Sequence, residues 1–256
     1  MKITIDTTRK TLVLEQDAQR QDLPLYSPDA FDVLSRFWLK VGWDLKYSYQ
    51  FTWLGRPIIQ MPEDILRIQE IICRLQPDVI LETGIAHGGS LLLSASLCRL
   101  MGTGRVIGVD IEIRPHNRRA LEQHPLRPLL TMIEGSSIDP EIVGRVKSLI
   151  RPGEKVIVLL DSCHTRDHVL AELEAYHDLV PPGSYLVAAD GIMHDLADLP
   201  AAKPDWTWNN PAEAARQFVQ RHPQFAIDEP PRAFNESKLA SHVTYWPSAF
   251  VKRIRD

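Results

Sequence analysis

Two places in this chain carry side chains suited to metal or acid–base chemistry. Asp161-Ser162-Cys163-His164 follows the apolar run Val156–Leu160, and Asp190 follows the run Tyr185–Ala189. Continuous apolar runs of this length read as buried parallel strands, so both aspartates stand at strand ends on what should be neighbouring strands. Two carboxylates on one rim repel unless a cation sits between them. Hard oxygen ligands point to Mg²⁺ or a similar divalent ion. His164, with an ordinary pKa near ~6.5, is placed to take a proton from a hydroxyl held at the same spot. The plainer reading has Asp161 capping the next helix and His164 simply solvated. His168 and His194 are nearby rivals, although neither ends a strand.

A second stretch, VILETGIAHGGSLLL from Val79 to Leu93, has the form of strand, glycine-rich turn and helix N-terminus. Such a unit opens nucleotide-cofactor folds, but this turn lacks a G-x-G-x-x-G fingerprint and any lysine for a phosphate. It carries Glu82 at the strand end instead. A carboxylate there repels a pyrophosphate and suits a ligand with an ammonium group and no phosphate, such as S-adenosylmethionine (SAM). An ordinary βα turn with no ligand is the competing reading.

The other strand ends are acidic too. Val106–Val109 ends at Asp110, and Leu130–Ile133 ends at Glu134-Gly135-Ser136. In an open α/β sheet, ligands sit beyond the carboxyl ends of the strands at the switch point of the strand order. That rule brings Glu82, Asp110, Glu134, Asp161 and Asp190 to one rim. Asp110 lies 26 residues after Gly84, near the ~20 expected for an acid that accepts from a cofactor ribose. Glu134, Gly135 and Ser136 could flank an adenine.

The elements that must position these groups follow from the pattern. Strands alternating with helical segments predict a parallel sheet with helices on both faces. Residues 3–14 alternate weakly and predict a β-hairpin. Ser27-Pro28-Asp29 starts a helix with Phe31, Leu34, Trp38 and Val41 on one face. Pro62-Glu63-Asp64 starts another, its carboxylates favoured by the helix dipole, with Ile65, Ile68, Ile72 and Leu75 as its stripe. A helix over Val169, Leu173, Tyr176 and Val180 separates the last two parallel strands. Residues 196–208 are irregular and suit a lid, a pocket wall or a plain connection. Asn210-Pro211-Ala212-Glu213 restarts a helix, and Phe225–Ile227 with His242–Ile254 predict two antiparallel strands at the sheet edge.

Composition narrows the partners. A net charge of −4 over 256 residues gives no general attraction to nucleic acid or an anionic membrane. Cys73, Cys98 and Cys163 form no C-x-x-C pair, so neither a disulfide framework nor a zinc knuckle is supported. No apolar run approaches the ~18 residues of a membrane span and no signal peptide opens the chain, so a cytoplasmic location is expected. The expected division is an N-terminal extension over 1–60, for subunit or pocket contacts, and a catalytic domain over 61–256.

Six ordered blocks carry a resemblance: FTWLGRPIIQMPEDILRIQEII, LETGIAHGGS, GVDIEIRPHNR, IEGSS, LLDSCHTRDHVLAELEAY and PPGSYLVAADGIMHDL. From about Phe51 onward the chain resembles the cephalosporin hydroxylase family, nearest to its rhamnosyl O-methyltransferase branch. The resemblance implies a Rossmann-like class I methyltransferase fold, with a mostly parallel seven-stranded sheet between helical layers. It implies a SAM site at Glu82, Gly84, Ala86, His87, Gly88, Ser90, Asp110, Ile111, Glu134, Gly135 and Ser136. It also implies a metal on Asp161 and Asp190, and His164 as base. Some members carry an acidic pair at the second metal strand, where this chain has Ala189 before Asp190. One carboxylate fewer should weaken the site.

The expectation is a SAM-dependent O-methyltransferase acting on a hydroxyl of a rhamnose-type deoxysugar in a glycan or glycolipid, assembled as a homo-oligomer. Two alternatives stand beside it. Asp161 with two of His164, His168 and His194 could form the two-histidine, one-carboxylate site of an iron oxygenase that uses 2-oxoglutarate. Alternatively, the chain could be a non-catalytic SAM-binding subunit.

Overall fold

The computed structural model describes residues 1–17 and 19–256. The chain divides into two compact units, one of residues 1–45 with 232–243 and one of 46–231 with 244–256. Residues 46–60, grouped on sequence with the N-terminal extension, belong to the larger unit.

In the smaller unit the expected hairpin is a three-stranded antiparallel meander: β1 (Lys2–Asp6), β2 (Thr11–Gln16) and β3 (Gln19–Pro24). β3 reads QRQDLP and has no apolar alternation, which is why periodicity passed over it. Ser27 accepts a hydrogen bond from the Ala30 amide at 3.2 Å and so caps α1 (Pro28–Asp44). Leu12, Leu23 and Ala30 form a small core, with Val33 and Leu34 packed against it. Phe31, Trp38 and Val41 stay largely exposed, because so narrow a sheet covers only a strip of the helix.

The larger unit opens with a short hairpin, β4 (Thr52–Trp53) and β5 (Arg56–Pro57), and α2 (Pro62–Leu75). Next come β6 (Val79–Thr83), α3 (Gly89–Met101), β7 (Arg105–Asp110), α4 (Pro115–Glu122), β8 (Leu130–Glu134) and α5 (Pro140–Ser148). β9 (Val156–Leu160), α6 (Arg166–Tyr176), β10 (Tyr185–Ala188), α7 (Pro211–Arg221), β11 (Phe225–Ile227) and β12 (Phe250–Arg253) complete it. The sheet runs β11-β12-β10-β9-β6-β7-β8. Neighbouring strands from β10 to β8 are parallel, and β12 is inserted antiparallel between β10 and β11. This is the class I methyltransferase sheet, and its order switches at the β6–β9 pair.

β6 and β9 are buried along their whole length, as a sheet covered on both faces requires. Their core includes Leu81, Val158, Leu160, Val169, Leu173 and Phe218. The register aligns Thr83 with Leu160 and Ala188 with Leu160, so the residues that follow each strand emerge side by side. Only residues 250–253 of the strand expected over 242–254 join the sheet. Tyr245 and Trp246, ahead of it, are buried in an irregular bend.

The irregular segment before α7 contains two 3₁₀ turns, Gly191–Leu196 and Pro204–Thr207. Asn210 ties the second to α7: its Oδ1 accepts from the Glu213 amide at 2.9 Å, and its Nδ2 donates to the Trp206 carbonyl at 2.8 Å. Asn210 is fully buried, so Asn210→Ala removes a cap and leaves buried partners unpaired. We expect a loss of about 1–2 kcal/mol in urea unfolding; an unchanged midpoint would show that the cap contributes nothing.

Candidate active site

The site forms where the glycine loop after β6 meets the end of β9. Gly84 has φ +93°, and a Cβ there would overlap the Asp161 carbonyl. The Asp161 amide donates to the Thr83 carbonyl at 2.9 Å. Gly89 sits equally close to β5, where a Cβ would overlap the Pro57 carbonyl. Between these contacts lies a cleft of about 210 Å³, lined by Gly84, Ala86, His87 and Ser90 from the loop and by Asp161, His164 and Asp190 from the strand ends. Tyr49 and Gln60 line it as well.

The loop is held by polar contacts that the sequence did not reveal. Asp110 Oδ2 accepts from the Ile85 and Ala86 amides at 2.7 and 2.9 Å. Ala86 adopts φ +45°, and its carbonyl accepts from Asn117 Nδ2 at 2.7 Å. Arg56 on β5 donates to the His87 carbonyl at 2.9 Å and also to Asn117 Oδ1. Asp110, expected as a ribose acceptor, thus also clasps the loop through its Oδ2.

The remaining expected cofactor residues are placed as follows. Glu82 does not line the cleft. It is buried beneath the loop, with Ser90 Oγ donating to its Oε1 and its Oε2 without a hydrogen-bond partner. Burial pushes its pKa up to about 8, against the opposing Ser90 bond. Gly88, at φ +85°, packs on Leu121. Ile111 is exposed. Glu134 accepts from the Ile113 amide at 3.2 Å and pairs with Arg118 at 2.8 Å, which holds it below the usual carboxylate range. The Gly135 amide donates to the Asp110 carbonyl, and the Ser136 carbonyl accepts from the Asp139 amide.

Beyond the loop, Asp161, His164 and Asp190 each offer a ligand atom, all within 4.8 Å of one another. His164 Nε2 stands 3.5 Å from Asp190 Oδ2 and 4.0 Å from Asp161 Oδ1. Desolvation, and then the neighbouring Asp190, pushes the Asp161 pKa up. Asp190 is likewise raised by desolvation, while His164 and a hydrogen bond from the Trp246 indole act the other way. Two carboxylates that ionise reluctantly beside an imidazole are a donor set that fits a divalent cation. Asp161 caps no helix: α6 starts at Arg166 after Thr165, which makes no side-chain cap.

The other two histidines turn elsewhere. His168 Nε2 lies 3.2 Å from Ser137 Oγ, 3.3 Å from Ser162 Oγ and 3.5 Å from Glu172 Oε1. His194 Nδ1 is 2.9 Å from the Thr207 carbonyl. The described residues thus gather one histidine with two carboxylates rather than the iron set of two histidines with one. Asp64, read on sequence as a dipole-favoured residue of the first helical turn, does lie there but is also buried, accepting from Thr244 Oγ1 and from the Tyr245 amide at 3.0 Å. A buried acid with long-range partners leaves no periodic trace. Gln60 was visible only as part of the block IIQMPED.

The Rhamnosyl O-methyltransferase/CmcI family model matches residues 45–254. The rhamnosyl O-methyltransferase of Mycobacterium tuberculosis is 32% identical over 176 residues, covering 67% of this chain and 67% of that protein. The enzyme of the same name from Mycobacterium leprae is 32% identical over 152 residues, 58% of this chain and 64% of the other. Among solved structures, apo CmcI superposes with a TM-score of 0.54 at 17% identity, over 81% of this chain and 78% of that one. CmcI with Mg and SAM gives 0.52 at 17% identity over the same shares. At such identities the likeness is one of fold. No helix of the described residues is long and apolar enough to cross a membrane.

The Glu82 environment has a measurable consequence. A carboxyl whose pKa is raised on folding, here from 4.5 to about 8, contributes stability that is fully present below the unfolded value and is lost as pH rises through the folded one. Ligand-free protein should therefore lose stability between about pH 4.5 and 8. Glu82→Gln should flatten that part of the pH profile in thermal unfolding; an unaltered profile would mean that Glu82 ionises normally.

Proposed function

The chain belongs to the rhamnosyl O-methyltransferase/CmcI family, and from that premise we propose that it transfers the methyl group of SAM to a hydroxyl of a rhamnose-type sugar in a glycan or glycolipid. The observation that carries this reading is the donor set Asp161–His164–Asp190 opening into the same cleft as the glycine loop. The loop fits SAM in two respects: its glycines let backbone come close, and it offers no lysine to a phosphate. Gly84, Ala86, His87 and Ser90 would line the methionine end, and Asp110 would keep the loop in shape.

SAM, when bound, supplies an electrophilic methyl on a sulfonium. The chain's tasks are to align the acceptor oxygen with that methyl and to remove the acceptor proton. Asp161 and Asp190 would hold a divalent cation, which lowers the pKa of an oxygen bound to it. His164 Nε2, next to both carboxylates, would take the hydroxyl proton. The carboxylates also favour the imidazolium that results. With Ala189 buried and apolar beside Asp190, the chain supplies fewer oxygens than an acidic pair would, so weak cation affinity is part of the proposal. So is assembly as a homo-oligomer.

Two measurements test this. S-adenosylhomocysteine (SAH) at a hundredfold excess over Kd should stabilise by about 2.7 kcal/mol in thermal unfolding, with no shift from NAD. Stabilisation by NAD alone would overturn the cofactor assignment. With methyl rhamnosides as acceptors, His164→Ala should keep its SAM affinity and lose about 10²–10⁴-fold in turnover. Near-normal turnover would remove His164 from the role of base.

A further inference from the structure

The segment that runs from the β5–α2 turn into the first turn of α2, Gln60-Met61-Pro62-Glu63-Asp64, connects to both carboxylates of the candidate site by separate routes, one through Gln60 and one through Asp64. Gln60 is 7% exposed and lines the cleft. Its Nε2 donates to Asp161 Oδ2 at 3.2 Å. This occupies one carboxylate oxygen and leaves Oδ1, the oxygen nearest His164 Nε2, for a ligand. Gln60 Oε1 is buried with no hydrogen-bond partner among the described residues, so the bond to Asp161 is the polar contact that orients the amide.

The second route runs through Asp64, 2% exposed. Its Oδ1 accepts from Thr244 Oγ1 and its Oδ2 from the Tyr245 amide at 3.0 Å. Thr244 Oγ1 in turn accepts from the Trp246 amide at 2.8 Å. The Tyr245 carbonyl accepts from the Ile192 amide at 3.1 Å, and the Pro247 carbonyl lies so close to Gly191 that no Cβ would fit there, so the bend packs on the two residues that follow Asp190. Asp190 itself sits at φ +61°, a backbone state with little local preference to hold it. Its aim thus depends on the 244–246 bend, and the bend on Asp64.

We propose that Gln60 and Asp64 are positioning residues, which aim Asp161 and Asp190, respectively, at a shared ligand in front of His164. Partners of this kind around ligating carboxylates typically change metal affinity or activity about 10–100-fold when removed. The inference rests on the cation reading given above only for what the shared ligand is; the aiming of the carboxylates does not require it.

The test uses full-length protein freed of metal, with Mn²⁺ as the probe ion and SAH as the probe of the cofactor cleft. Gln60→Met keeps the length and removes the amide; Thr244→Val breaks the second route without burying a lone acid. Each should lower Mn²⁺ affinity about 10–100-fold by calorimetry, with SAH affinity within twofold. Crystal structures should show the Asp161 carboxylate rotated in the first variant and the Asp190 carboxylate displaced in the second. Asp64→Asn, which can still accept from the Tyr245 amide and donate to Thr244 Oγ1, should restore most of what Asp64→Ala loses. Unmoved carboxylates with wild-type Mn²⁺ affinity would overturn the inference. If the wild type binds no Mn²⁺, the cation reading fails alone, and the carboxylate positions in the two variants decide this one.

Discussion

The closeness of two backbones governs this molecule. β6 and β9 lie side by side at the point where the strand order reverses, and Gly84 and Asp161 leave them so close together that no side chain fits on the first. Because the Asp161 amide also bonds to the Thr83 carbonyl, the glycine loop cannot shift without moving Asp161. The cleft for a cofactor and the rim for an acceptor are therefore one construction. In the proposed reaction the donor methyl and the acceptor oxygen must be held in line about 3–3.5 Å apart, and a shared backbone contact between loop and rim is a stiff way to keep that alignment.

Much of that construction was legible in the sequence. The apolar runs ending in Glu82, Asp110, Asp161 and Asp190 marked strands whose C-terminal ends converge, because parallel strands buried on both faces leave little other reading. The meeting of His164 with Asp161 and Asp190 followed from their places at two strand ends. The particular partner of each carboxylate did not follow. Asp110 and a ribose acceptor look alike in sequence, and only the fold shows its oxygen on the Ile85 and Ala86 amides. Asp64 satisfies the rule for a first-turn acid, yet its partners lie about 180 residues away in the bend at Thr244 and Tyr245. β3 was missed because Leu23, opposite Leu12, is its one apolar residue besides the terminal Pro24, and a single buried residue leaves no alternation to read.

A second polar centre lies behind the first. Glu172, fully buried on α6, accepts from Ser137 after β8 and from Ser162 after β9, with His168 alongside. Burial this complete would be costly for an isolated carboxylate, and two hydroxyl donors with a nearby imidazole offset part of that cost. The effect is to bind the loops after β8 and β9 to a single helix. Ser162 is flanked by Asp161 and sits two residues before His164, so α6 is tied to the Asp161 end of the rim, and the 244–246 bend to the segment after Asp190.

The position of β12 bears on how the molecule comes into being. That strand, last in sequence among those of the sheet, is inserted between β10 and β11, and the bend that contacts Asp190 immediately precedes it. Until these residues dock, β10 is an unpaired edge and Asp190 has no indole beside it. Docking closes contacts between positions far apart in the chain, the kind that loop-closure entropy delays. The sheet from β6 to β10 can pair without β12, whereas the surroundings of Asp190 are complete only with the 244–246 bend in place. Without β12 in place, β10 would present a strand edge open to another chain.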